Sequence, residues 1–203
     1  SRPQTGVGFR DCTEVLQDAC GSVSADILTG RKADPRVVLV SFKSPWKLET
    51  GPVFDVECRD GKTGDGAFLA VSQSTEGKSL DQLPDSFFLG RLFDSTGRFS
   101  FYGAPTDIKV KRSRVVDNKR ILELSFSNLS QSTNAEIPRK AVLVATIPPG
   151  TDNAVMLVGS ALASRWSKGS DKTVQATVDS ISAIAAPKTS LKERAKRRGP
   201  EEI

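Results

Sequence analysis

Arg139-Lys-Ala-Val-Leu-Val-Ala-Thr-Ile147 is followed by Pro148-Pro-Gly150 and then by Ala154-Val-Met-Leu-Val-Gly-Ser-Ala161. Two apolar runs of strand length, separated by a tight turn, read as an antiparallel hairpin. Ser164-Arg-Trp-Ser-Lys-Gly169 then forms a Trp-bearing loop. Beyond it Val174, Val178, Ile181 and Ala185 recur at helical spacing, with Ile184 on the same side. The spacing predicts a helix over 170–185, opened by Ser170 or Asp171 and ended before Pro187. A hairpin closed by an amphipathic helix is the end of an α+β unit, in which a sheet face is covered by a helix.

Upstream the same logic yields more hairpins. Val37-Val-Leu-Val-Ser-Phe42 is an apolar, β-branched strand, interrupted by Pro45 and followed by Trp46. Residues 52–58 alternate, with Val53, Phe54, Val56 and Cys58 against Asp55 and Glu57. Residues 59–66 are turn chemistry, and Phe68, Leu69 and Val71 mark the return strand. Phe88, Leu89, Leu92 and Phe93 form one stripe of a helix over 83–93, with Pro84 early, where its missing N–H costs little. Gly90 weakens that helix, and a loop rich in Phe99, Phe101 and Tyr102 follows. Ile108 and Val110 alternate with Lys109 and Lys111. Asp117-Asn118 is a turn, and Leu122, Leu124 and Phe126 alternate with Glu123, Ser125 and Ser127. Near the amino terminus Val15, Leu16 and Ala19 predict a helix over 11–20, capped by Asp11 and ended by Gly21, with 22–34 as loop.

Successive hairpins with helices at the start, middle and end predict one central antiparallel β-sheet flanked by helices, an α/β/α sandwich of the α+β class. The expected organisation is an N-terminal segment over 1–35 with Cys12 and Cys20, a domain over 36–186, and a basic, disordered tail over 187–203.

Composition narrows the function classes. The 203 residues are 37% hydrophobic and 26% charged, ordinary for one globular domain. The chain begins at Ser1 without Met and is expected to be a processed form. No apolar run approaches the ~20 residues that span a bilayer. The net charge is +5, of which the tail from Pro187 to Ile203 supplies +3, with six Lys/Arg against three Glu. A nucleic-acid module carries its charge on a folded face beside aromatic platforms, so no nucleic-acid partner is expected. Binding through 188–198 is the exception to be tested by its salt dependence. There is no His, which removes imidazole triads, imidazole metal ligands and the usual near-neutral proton shuttle. Three Cys exclude a four-thiolate zinc site within one chain and allow at most one internal disulfide.

An ordered set of segments resembles the PsbP family, the lumenal extrinsic proteins of oxygenic photosynthesis. Lys43-Ser-Pro-Trp-Lys47 is similar to its early Trp segment, and Phe54 to Gln73 to its long-loop hairpin. Leu122 to Leu129 is similar to an alternating strand of the family. Lys140 to Ile147, Ala154 to Ala161 and Arg165-Trp-Ser-Lys-Gly169 are similar to its terminal strands and Arg-Trp-x-Lys-Gly loop. The resemblance runs over residues 36–185 and points to a divergent PsbP-domain protein rather than the oxygen-evolving subunit itself. It implies a chloroplast thylakoid-lumen location and no enzyme activity. It further implies a protein peripheral to the membrane, monomeric, that binds or helps assemble a photosystem, in relation to the oxygen-evolving complex. The family's metal pair, a His and an Asp, falls at Lys140 and Ala163 here. A cation and a methyl group do not ligate a divalent ion, so that site is not carried over.

Three constellations remain. Cys12 and Cys20 would stand ~12 Å apart on one straight helix, beyond the ~7 Å reach of a disulfide. They bridge each other only if the helix bends or stops. Otherwise one pairs with Cys58. Either a structural disulfide or a thiol-redox role for Cys12, Cys20 and Cys58 is compatible with the spacing. Asp55, Glu57, Asp60 and Asp65 gather around a Gly-rich turn and make calcium the candidate cofactor, although the spacing is not that of an EF-hand. Lys109, Lys111, Arg112, Arg114, Lys119 and Arg120 concentrate a net +4 on one hairpin once Asp107 and Asp117 are counted. Such a hairpin is either a solvated, aggregation-resistant sheet edge or a docking surface for acidic lumenal loops or lipid headgroups.

Overall fold

The computed structural model describes residues 15–31, 33–49, 56–93, 105–130 and 132–186. Ten strands and three helices are present among them: β1 (Val15–Gln17), β2 (Ser22–Arg31), β3 (Asp34–Lys43), β4 (Glu57–Arg59), β5 (Gly66–Ser74), α1 (Asp85–Leu92), β6 (Pro105–Val116), β7 (Lys119–Leu129), β8 (Glu136–Thr146), β9 (Asn153–Leu162), α2 (Ala163–Arg165), α3 (Asp171–Asp179) and β10 (Ser182–Ala185). A π-helical turn, Trp166–Ser170, joins α2 to α3 and bends at Gly169, whose φ is 118°. Every strand pair is antiparallel.

The α+β class matches the sequence reading, but the strands divide between two sheets. One has the order β1-β2-β3-β10, the other β4-β5-β9-β8-β7-β6. The six-stranded sheet is buried on both faces. On one face Ala67, Leu69, Val142, Val144, Val155 and Leu157 meet the inner face of the four-stranded sheet (Val23, Ile27, Val38, Val40, Phe42) and Val174, Val178 and Ile181. On the other, Phe68, Leu122, Leu124, Leu143, Met156 and Val158 lie under Phe88 and Leu92 of α1. Consecutive residues on a strand point to opposite faces, so two covered faces require near-continuous apolar runs. The stretches 141–145 and 154–158 have this character and are fully buried.

Three predicted elements are corrected. The described part of the 11–20 helix is instead β1 and a turn. The Asp18 carboxylate accepts hydrogen bonds from the backbone N–H groups of Cys20 (2.8 Å) and Ser22 (3.0 Å), and Gly21 takes φ 88°. A short acidic side chain offers the backbone a turn that competes with helix. The 22–34 loop is β2 and its hairpin to β3, in register from Ser22↔Lys43 to Arg31↔Asp34. The segment set apart ahead of residue 36 thus contributes two strands to the sheet that holds β3. The final helix stops at Asp179, and residues 182–185 pair with β3 as β10. Ile184 therefore sits opposite Leu39 and is 63% exposed rather than continuing the buried stripe.

Other predicted features are present. Pro84 stands at the N-cap of α1, and Leu89 and Phe93 pack partly buried beside Phe88 and Leu92. Trp46 is buried in the core, and Trp166 packs against it beside α3. Residues Val53, Phe54, Asp55, Phe99, Phe101 and Tyr102, Cys12 and the tail from Pro187 lie outside the described residues.

Candidate functional site

β6 is an edge strand of the six-stranded sheet, with β7 on one side. Its twelve residues are mostly half-buried or exposed, and Lys109, Lys111 and Arg112 are exposed. Two irregularities in register, between Thr106 and Lys109 and between Val110 and Arg112, interrupt its pairing with β7. Asp107, at φ 51°, lies within the first. An edge strand with bulges and lysines resists indiscriminate strand addition.

Register brings further cations to the same face. Lys109 lies opposite Ser125, and Ser125 lies opposite Lys140 on β8, so the three form one row across β6, β7 and β8. Arg112 opposes Glu123 in the next row and Arg114 opposes Ile121 beyond it. Cross-strand partners share a face, so Lys109, Arg112, Arg114 and Lys140 make one basic shelf, four cations against the single carboxylate, Glu123, among these cross-strand partners. Lys140 was not among the sequence's docking candidates. The signal was available in principle: β8 carries it one position outside the buried run 141–145.

The six docking candidates separate into two groups: Lys109, Lys111 and Arg112 are exposed, whereas Arg114, Lys119 and Arg120 are engaged by their own chain. Among the described residues Lys109 has a long, exposed contact with Asp107, at 3.5 Å. Exposed pairs of this kind contribute little, so the charge remains available. Arg114 is half-buried and pairs with Glu123 at 3.4 Å. Lys119 donates to the carbonyls of Asp179 (3.2 Å) and Ile181 (2.9 Å), at the C-terminal end of α3, where a cation is favoured. Arg120 is corrected outright: it is 8% exposed and serves the interior. Its guanidinium donates to the carbonyls of Leu80 and Leu83, the Ser113 hydroxyl and the Asp85 carboxylate, and lies over the Phe88 ring. Its even position in β7 places it with Leu122 and Leu124 beneath α1, which sequence charge counting does not reveal. Burial pushes the Asp85 pKa up, but hydrogen bonds from Arg120 and Ser113 outweigh it and hold the carboxyl below its ordinary value.

The acidic turn is organised by its own chain. Asp60 accepts from the backbone of Lys62 and Thr63, which lowers its pKa. Asp65 is 4% exposed and accepts from Arg165 Nε (3.2 Å) and Nη2 (3.1 Å) and from the Ser170 hydroxyl (2.9 Å). The same carboxylate raises the Arg165 pKa. Glu57 is buried in β4, and Asp55 lies outside the described residues. Among the described residues no group of three or more His, Cys, Asp or Glu is placed to hold a metal ion. The Arg165-Trp166 loop is thus latched to the 60–65 turn by an ion pair, a contact the sequence reading missed because it spans a hundred residues.

Cys20 is exposed on the β1–β2 turn and Cys58 is buried in the core, and both are free thiols. Burial pushes the Cys58 thiol up to about 11, against a smaller lowering by the Ser44 hydroxyl. A thiol held protonated in apolar surroundings is a poor nucleophile.

A cleft of about 710 Å³ opens where the β2–β3 turn meets the ends of β5 and the β8–β9 turn. Many of its polar groups bind one another. Asn153 accepts from the Gly30 N–H and donates to the Ser72 carbonyl, and Arg36 donates to the Gly150 carbonyl. These bonds tie the two sheets together at this end. A smaller cavity of about 240 Å³ lies beside α1, lined by Gln73, Ser86, Phe87, Gly90 and Arg91.

No family model matches this sequence, and no curated protein matches it. Among solved structures, the chain is similar to the solution structure of cyanobacterial PsbP (CyanoP) from Synechocystis sp. PCC 6803. The identity is 16% over 87% of this chain and 95% of that one, with a TM-score of 0.44. It is also similar to the crystal structure of LpqN, involved in cell envelope biogenesis of Mycobacterium tuberculosis, at 11% identity over 80% of this chain and 91% of that one, with a TM-score of 0.45. Similarity at this level does not extend to what either protein binds.

Proposed function

We propose that this chain is a non-catalytic docking protein of the thylakoid lumen, of the PsbP-domain type, that binds an acidic lumenal surface of a photosystem or of an assembly intermediate. The observation that carries the reading is the basic shelf: Lys109, Arg112, Arg114 and Lys140 share one face at the edge of the six-stranded sheet. The PsbP-like segments support the compartment and the partner class. Lys140, which stands where the family has a metal-ligating His, joins this shelf instead. No described helix is long and apolar enough to cross a membrane. A cationic shelf on a rigid sheet raises encounter rate and selects acidic partners more than it adds affinity.

The test is cross-linking and pull-down from thylakoid membranes with the wild-type chain and with a Lys109→Glu, Arg112→Glu, Lys140→Glu variant. Capture of a photosystem subunit at low salt, reduced at least about tenfold by charge reversal and weakened by added salt, is the expected result. Equal recovery with both proteins would dismiss the shelf as a docking surface.

A further inference from the structure

The basic shelf belongs to a strand whose outer backbone edge is also open. β6 and β7 are joined by the two-residue turn Asp117–Asn118, both at positive φ (50° and 60°), the geometry of a type I′ hairpin. The residues flanking such a turn, Val116 and Lys119, exchange both backbone hydrogen bonds. Bonded and non-bonded pairs then alternate along the ladder. The N–H and C=O groups of Val116 and Arg114 therefore face β7, and those of Val115 and Ser113 face outward. Register runs unbroken from Arg112↔Glu123 to Val116↔Lys119, beyond both irregularities. Val115 and Val116 are each 44% exposed. No described strand pairs with this edge.

Open backbone groups, exposed valines and guanidinium groups at alternate positions are what an added strand requires. Charge decides which strand. A second copy of β6 would set Arg112 and Arg114 against like charges, which destabilises cross-strand pairs. A carboxylate-bearing segment would meet them favourably. The irregularities before Arg112 confine pairing to a short stretch and keep longer, uncharged strands out.

We propose that the Arg112–Val116 edge of β6 takes up an extended acidic segment of a partner protein as an added β-strand. The inference rests on the docking reading and specifies how the partner is held: backbone bonds at Ser113 and Val115, with Arg112 and Arg114 reading acidic side chains.

The experiment uses the full chain and two capped peptides of about ten residues that alternate glutamate and threonine. One is N-methylated throughout, so it keeps its charge and loses its backbone donors. Affinity is measured at low salt, and amide hydrogen exchange is followed residue by residue. The expected result is slowed exchange at Ser113 and Val115, no further slowing at Arg114 and Val116, and binding of the methylated peptide weaker by at least about tenfold. Val115→Pro removes an outward N–H while leaving the β7 ladder intact and is expected to lose a similar factor, whereas Val115→Thr keeps binding. Equal affinity for both peptides with no protection at Ser113 or Val115 would overturn strand addition and leave docking by side chains standing. Failure of both peptides to bind, together with loss-free recovery of the charge-reversed variant from thylakoids, would overturn the docking reading itself.

Discussion

Replacing Arg120 by alanine tests whether one buried guanidinium organises the segment that covers the outer face of the six-stranded sheet. In the intact protein it donates to the carbonyls of Leu80 and Leu83 (2.9 Å for the latter), to the Ser113 hydroxyl (3.0 Å) and to the Asp85 carboxylate (2.7 Å). Truncation leaves two carbonyls without their charged donor, and each unsatisfied buried group costs about 1–3 kcal/mol. The ring contact with Phe88 is also lost. Asp85 contributes less, because its side chain is 36% exposed and rehydrates. The expected loss is about 3–5 kcal/mol, the range for breaking a buried charged network. Against a typical total of about 5–15 kcal/mol this is a large fraction. Urea denaturation should show a lower midpoint at an unchanged slope. Amide exchange should quicken first across 80–92. Arg120→Lys should recover only part of the loss, since one ammonium cannot reach acceptors fanned over three directions. A loss below about 1 kcal/mol for Arg120→Ala would refute the reasoning, because it would mean that water already satisfies those carbonyls.

The Asp85 carboxyl has a depressed folded-state pKa, so its contribution is present above the unfolded value of about 3.9 and is lost as pH falls through the folded value; Asp85→Asn should flatten the acid limb of stability below about pH 4, and an unchanged limb would contradict the pairing. Asp65→Ala is expected to cost about 2–3 kcal/mol and to change the near-ultraviolet signal of Trp166, because Arg165 and Ser170 lose their shared acceptor; a wild-type signal and melting temperature would count against the latch. Alkylation at neutral pH should label the exposed Cys20 quickly and Cys58 only on unfolding, read by peptide mass spectrometry, and native labelling of Cys58 would contradict its burial and raised pKa. Gly159→Ala is expected to destabilise by about 1–3 kcal/mol, since an added Cβ would meet the Val174 side chain at 2.7 Å and the Val178 side chain at 3.1 Å; a neutral change in thermal denaturation would show that α3 shifts freely on β9.

The sequence by itself determined the parts whose physics is local. Alternation at Leu122, Leu124 and Phe126, turn chemistry at Asp117-Asn118 and 148–150, and the stripe over Phe88 and Leu92 all appear where periodicity places them, because each is set within a few residues. Tertiary structure decided the rest. β2 escaped reading because its inward positions, Val23, Ala25, Ile27 and Thr29, include two weakly apolar side chains, and Leu28 between the last two breaks the alternation that Ser24 and Asp26 begin. Only pairing with β3 selects the strand. Ser182-Ala-Ile-Ala185 continues a helical pattern, yet the free edge of β3 draws it into a sheet, since cross-strand hydrogen bonds are invisible in sequence. Charge was legible and its fate was not. Lys140 and Lys109 become neighbours only through the β6–β7–β8 register, whereas Arg120, two positions from Leu122, is turned inward by the two-residue period of its strand and spends its charge on the core.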